Sequence, residues 1–225
     1  MSAEQDDPPP GERGTHRIEG FSDGYFAIVI TLLAIELRIP PEEDARLLAA
    51  LRDLWPVGLS YLVAFVNIYI LWVSHHELMR LVRRADTKFL YMNGALLLGV
   101  AVIPFGASLV SEFLETDDGR LAVALFTGAL LWVAMWFNLI WFYLATHPNL
   151  LLLRIKRGDR RRIVRTYLVT LALYGCAFVL SWVAPFVSLL IALVLAIFFA
   201  VADRLSGFAS EDLASDAPKP DAGQS

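Results

Sequence analysis

An all-α, polytopic membrane protein with six transmembrane helices per subunit is the fold class that this sequence predicts. Three observations predict it. Apolar residues make up 57% of the 225 and charged residues 19%, against about 45–50% and roughly 25% in soluble domains. The mean hydropathy is +0.56, and the apolar excess is gathered in blocks of about 20 residues, the length that crosses a hydrocarbon core. The loops between the blocks alternate between basic and acidic, the charge asymmetry of a chain that crosses a bilayer repeatedly.

The expected spans are 20–39, 56–78, 89–113, 121–146, 163–184 and 185–203. Pro56 suits the first position of a helix, where a missing N–H costs nothing. Pro104 falls inside the third span, which a membrane helix tolerates when neighbours satisfy the freed carbonyl. Pro148 stops the fourth span, and Ala184-Pro185 marks a tight turn between the last two.

Orientation follows from lysine and arginine. Arg80, Arg83, Arg84 and Lys88 follow the second span, and seven basic residues from Arg154 to Arg165 follow the fourth. Glu42, Glu43, Asp44 and Asp53 dominate the loop after the first span, and Glu115, Asp117 and Asp118 the loop after the third. Both termini are therefore expected in the cytoplasm. The basic cluster reads as a positive-inside anchor and not as a nucleic-acid patch.

Residues 1–15 are polar and Pro-rich, without the apolar stretch of a cleavable leader. They and the acidic segment 206–225 bury too little apolar surface to offset chain entropy, so both are expected to be disordered tails around a transmembrane domain at 16–205. The single cysteine, Cys176, excludes an intrachain disulfide. One half of the chain does not repeat the other, so a symmetric assembly would need several chains.

The stretch "HRIEGFSDGYFAIVITLLAIELRIPP" holds a carboxylate, Asp23, near the start of a membrane helix. If Ser22 and Asp23 only capped a helix from Gly24, the apolar run to Leu37 would reach about 21 Å at ~1.5 Å per residue, short of a core of about 30 Å. The helix is thus expected to begin nearer Arg17, with Asp23 at or just inside the interface. An ionisable group there needs a partner. Trp72, Ser74, His75 and His76 at the end of the second span, Asn93 at the start of the third, and Asn67 are the candidates.

On a wheel of about 100° per residue, Gly24, Ile28, Leu32 and Ile35 form one apolar stripe with Thr31 at its edge, and Asp23 lies roughly 140° from Ile28. The stripe faces lipid, another helix or a symmetry axis, while Asp23 faces the protein. His75-His76-Glu77 contains ligand types, but adjacent histidines diverge by about 100° on a helix and no HExxH spacing exists. No metal site or other cofactor is expected. Neither a GxSxG elbow nor a phosphate-binding loop is present, so nothing points to an enzyme.

"RIEGFSD", from Arg17 to Asp23, resembles the R-x-x-x-F-S-D motif that opens the first helix of the transmembrane protein 175 family of potassium channels. Trp55, Tyr61, Phe65, Trp72 and His75-His76 in the second span fit the same family, as do Asn93 and Ile103–Phe105 in the third. The likeness is strongest over the first half of the chain.

The resemblance implies a bacterial homotetrameric potassium channel in the plasma membrane, passing potassium and other monovalent cations. It implies a pore lined by the first helix of each subunit, without a carbonyl filter. The narrowest ring would be Ile28, continued by Leu32 and Ile35, with Thr31 adding hydroxyls. Glu36 would concentrate cations or pair with Arg38. Arg17, Phe21, Ser22, Asp23, Trp72, His75 or His76, and Asn93 would form a polar brace behind the pore helix. The rivals are a secondary transporter, and a membrane enzyme using His75, His76 and Asp23.

Overall fold

Proline, capping and main-chain pairing set where the helices start and stop. In the computed structural model, which describes residues 13–35, 52, 54–152 and 157–198, α1 runs Thr15–Ile35 and α2 runs Trp55–Leu81 with Pro56 in its first turn. α3, Thr87–Phe113, is capped by Asp86, whose carboxylate accepts from Phe89 N at 2.8 Å. α4, Gly119–Thr146, ends where Pro148 opens a short 3-10 turn, Pro148–Leu150. α5, Arg157–Ser181, turns sharply through Ala184, whose N–H donates to Leu180 O at 2.8 Å, into α6, Pro185–Phe198.

Four helices are long and apolar enough to cross a membrane among the described residues: α1, α2, α3 and α4. The described apolar stretches of the last two helices, Arg165–Ser181 in α5 and Pro185–Phe198 in α6, span 10–17 residues each. The middle spans lie within three residues of the expected limits. α1 begins at Thr15, two residues from the expected start near Arg17 and five before the span 20–39, so Ser22 and Asp23 are interior residues and not caps. Its 21 residues extend about 31 Å at ~1.5 Å each. Arg13–Gly14 (β1) pairs antiparallel with Arg84–Ala85 (β2), a main-chain contact that side-chain composition does not encode.

The loop carrying β2 is a junction. Beside the β1 pairing, Val82 bridges Leu151, Arg83 N–H donates to Leu150 O at 2.8 Å, and Leu152 N–H donates to Leu81 O at 2.9 Å. Tyr143 on α4 donates its hydroxyl to the Asp86 carboxylate. The start of α1 and the connections α2–α3 and α4–α5 are thereby tied together at one end of the bundle.

α3 and α4 form the most extensive helix pair. Small residues let their backbones approach, the usual route to helix contact where lipid is as apolar as leucine. A Cβ at Gly99 would overlap Trp132 and lie 2.8 Å from Val133 Cγ2, and one at Gly106 would lie 2.9 Å from Phe126 Cα. Trp132 spans the contact and donates Nε1–H to Ala95 O at 2.8 Å. α1 packs against α2 and α3 through Ile18, Ser22, Phe26, Val29 and Leu33, one buried stripe at helical spacing.

A second polar contact lies deeper in the bundle. Asn67 on α2 is buried, donates to Val63 O at 2.8 Å and to Ala192 O on α6 at 3.4 Å, and accepts from Tyr174 on α5 at 2.9 Å. Ser188 on α6 donates to Ala177 O on α5 at 2.7 Å. These bonds lock the α5–α6 hairpin onto α2. Gly106→Val must press on the Phe126 backbone, which cannot rotate away. It is expected to lower stability by about 1–3 kcal/mol, read as a lower unfolding temperature in detergent, while Gly24→Ala, where a Cβ meets open space inside a helix, does not lower it.

Candidate functional site

α1 presents two unlike faces. On the buried one, Ser22 Oγ accepts from Asn93 Nδ2 at 3.1 Å, and Asn93 Oδ1 lies 2.8 Å from His75 Nε2. An amide oxygen only accepts, so His75 carries its proton on Nε2 and donates. All three side chains are buried. The chain joins α1 to α3 to α2. His75 is held by rings on both sides, Phe26 at 5.5 Å and Phe137 at 6.5 Å between centroids.

At the edge of that face, Trp72 Nε1–H donates to Asp23 Oδ1 at 2.9 Å. His76, one residue beyond His75 and turned the other way, places Nδ1 3.3 Å from Glu19 Oε1. Trp72 also belongs to a ladder of rings along α2: Tyr61, Phe65, Tyr69, Trp72 and His76 follow one another at 5.6–6.3 Å. The residues proposed as a brace thus divide. Ser22, Asn93 and His75 make one buried chain, and Asp23 with Trp72 makes a half-buried pair. The histidine question resolves by position: His75 bonds Asn93, and His76 lies beside Glu19.

Other candidates stand apart from these bonds. Arg17 is exposed and makes no hydrogen bond or ion pair with a described residue. Phe21 is 66% exposed, with its ring 6.3 Å from Tyr25. Asn67 serves the α5–α6 contact and not Asp23. Glu36 and Arg38 lie outside the described residues.

The opposite face of α1 is apolar and uncovered. Ile28 is 60% exposed, Leu32 49% and Ile35 53%. Thr31 is exposed beside them and donates its hydroxyl to Ile28 O at 2.8 Å. Phe21 belongs to this face, about 20° from Ile28 on a wheel of ~100° per residue.

Sequence reasoning missed Glu19, although its spacing of four from Asp23 puts both on one helix face. Glu19, Asp23 and His76 offer three donor atoms within 4.8 Å of one another, a set that adjacency in sequence does not display. It missed Asp86 and Tyr143 too. Asp86, three residues before Phe89, has the placement of an N-cap, but nothing in the sequence announces its tyrosine partner.

Comparison with known proteins matches residues 17–104 to the family described as endosomal/lysosomal potassium channel TMEM175. A potassium channel of Chamaesiphon minutus is 39% identical over 195 residues, covering 85% of this chain and 96% of that protein. The endosomal/lysosomal proton channel TMEM175 of Homo sapiens is 29% identical over 182 residues, 74% of this chain but 35% of that longer protein. The crystal structure of a lysosomal potassium-selective channel TMEM175 homologue from Chamaesiphon minutus superimposes with a TM-score of 0.76 at 38% identity, over 84% of this chain and 97% of that one. A variant of the potassium channel MtTMEM175 shares the fold, with a TM-score of 0.56 at 17% identity.

Asn93→Leu leaves His75 Nε2–H and Ser22 without their partner. Each orphaned buried group costs about 1–3 kcal/mol, so the variant is expected to unfold at markedly lower temperature. Ser22→Ala combined with Asn93→Leu is expected to cost less than the sum of the two, because one removed bond is shared. Thermal unfolding of the four proteins of this cycle in one detergent measures both effects.

Proposed function

Because this chain belongs to the TMEM175 family, whose members are ion channels and not enzymes, we propose that it is a potassium-permeable cation channel with an apolar constriction built from α1 of each subunit. The observation that carries this reading is the uncovered stripe of Ile28, Leu32 and Ile35, set opposite the face on which α1 is bonded to α2 and α3. Six spans per subunit, both termini in the cytoplasm, a plasma-membrane location and a homotetramer complete the proposal. Four copies of α1 would surround an axis with these side chains pointing inward.

The physics of such a pore is simple. A ring of isoleucine narrow enough to exclude water closes a conduit by dewetting, and widening it rewets the path. Ile28, Leu32 and Ile35 would make successive rings over about 10 Å, given a rise of ~1.5 Å per residue. Each ring removes water from an ion without replacing its oxygens. The hydroxyl oxygens of Thr31, within that stretch, would offer the nearest replacement. Potassium, which holds its water less tightly than sodium, would cross at lower cost.

The bonded face supplies the other requirement. A helix that gates by small tilts needs a fixed reference. The Asn93-centred chain and the Trp72–Asp23 pair would hold one end of α1 while the end near Ile35 moves. The secondary-transporter and membrane-enzyme alternatives gain no support from relatives named as channels.

Purified protein in liposomes, loaded with potassium and then with sodium, tests the proposal. Potassium-favouring flux is expected from the wild type, and faster, indiscriminate flux from Ile28→Asn, because an amide ring stays wet. Flux that is identical in Ile28→Asn and wild type would remove Ile28 from the permeation path.

A further inference from the structure

We propose that Glu19, Asp23 and His76 form a binding site for a divalent transition-metal ion that bridges α1 and α2. Three features of the cluster carry this. Its donors come from two helices yet lie within 4.8 Å of one another. His76 Nδ1 is sealed from solvent and makes no aligned hydrogen bond, although it lies 3.3 Å from Glu19 Oε1. That separation is close to the edge of about 3.4 Å expected between two ligands of a tetrahedral ion with bonds of ~2.1 Å. The carboxylate of Asp23 is already oriented: Trp72 donates to Oδ1 at 2.9 Å, which leaves Oδ2 for an ion.

Trp72 also positions the imidazole, its ring lying 6.1 Å from that of His76 at 30°. One side chain thus orients two of the three donors, the arrangement by which outer groups tune a metal site. One imidazole and two carboxylates suit zinc, cobalt or nickel more than calcium or magnesium, which take oxygen alone. Three protein donors leave a position open to water. His75 is not a donor here, since its Nε2 is committed to Asn93.

The consequence rests on the channel reading. An ion joining α1 to α2 would stiffen the bonded end of α1 and resist its tilt, so zinc would slow potassium flux. The site itself is tested without flux. Metal-stripped protein in detergent is titrated with cobalt(II), whose visible absorption reports coordination by nitrogen and oxygen, and the unfolding temperature is recorded alongside. One cobalt per chain is expected, with a rise in unfolding temperature that grows with metal concentration. His76→Gln and Glu19→Gln are expected to weaken binding about tenfold or more and to abolish the rise. His147→Gln, whose imidazole lies beside Tyr143 O outside the cluster, should change neither. Both cluster variants are compared with wild type by elution volume and metal-free unfolding temperature, so that misfolding is separated from ligand loss. Absence of cobalt binding, or binding equally tight in the two variants, overturns the site. Absence of wild-type potassium flux with intact cobalt binding would instead overturn the channel reading and leave the site standing.

Discussion

A buried amide that must satisfy both of its ends holds this structure together. Asn93 has a donor end and an acceptor end, and in low dielectric neither tolerates being left unpaired. Its NH2 finds Ser22 on α1 and its oxygen finds His75 on α2. Those two bonds have direction, so they specify how α1 is rotated against α2 and α3. Dispersion contacts of Phe26, Val29 and Leu33 along the same stripe contribute adhesion but discriminate poorly between neighbouring rotations. The amide supplies the angle and the apolar stripe supplies the grip.

Once that angle is set, the other features of α1 follow. Residues about 140° from Asp23 at ~100° per residue must face away from the bundle, and Ile28, Leu32 and Ile35 do. An uncovered apolar face of this kind is ordinary against lipid. It acquires a different meaning beside a face that is polar, buried and bonded, because the asymmetry makes α1 a helix held from behind. The half-buried edge between the two faces is where Glu19, Asp23, Trp72 and His76 meet. The side chains at that edge are partly exposed, whereas Ser22, His75 and Asn93 are buried.

Rigidity elsewhere comes from different chemistry. α3 and α4 adhere because Gly99 and Gly106 remove side chains where Trp132, Val133 and Phe126 press in. The α5–α6 hairpin adheres through Asn67, Tyr174 and Ser188, polar groups that find partners inside the bundle. The loop at residues 82–86 gathers β1, the α4–α5 connection and Tyr143 around one capped helix start. α1 is consequently restrained twice at its first turns, by main-chain pairing just before Thr15 and by side chains at Ser22 and Asp23.

The sequence by itself determined the helical class, the limits of the middle helices and the likeness to the family. These depend on local quantities: apolar run length, proline, and spacing along one helix. It also offered Asn67, Trp72, Ser74, His75, His76 and Asn93 as candidate partners of Asp23, because short connections bring helix ends level. The tertiary structure alone decided how those groups divide. His75 and His76 are chemically identical and differ by about 100° of rotation, and only packing against Phe26, Phe137 and Trp72 says which turns inward. The same holds for Asn67, which serves α5 and α6, and for Glu19, whose partner lies on another helix. Hydrogen bonds between residues far apart in sequence have no local signature. They are settled by which faces the apolar contacts bring together, and that choice belongs to the whole bundle.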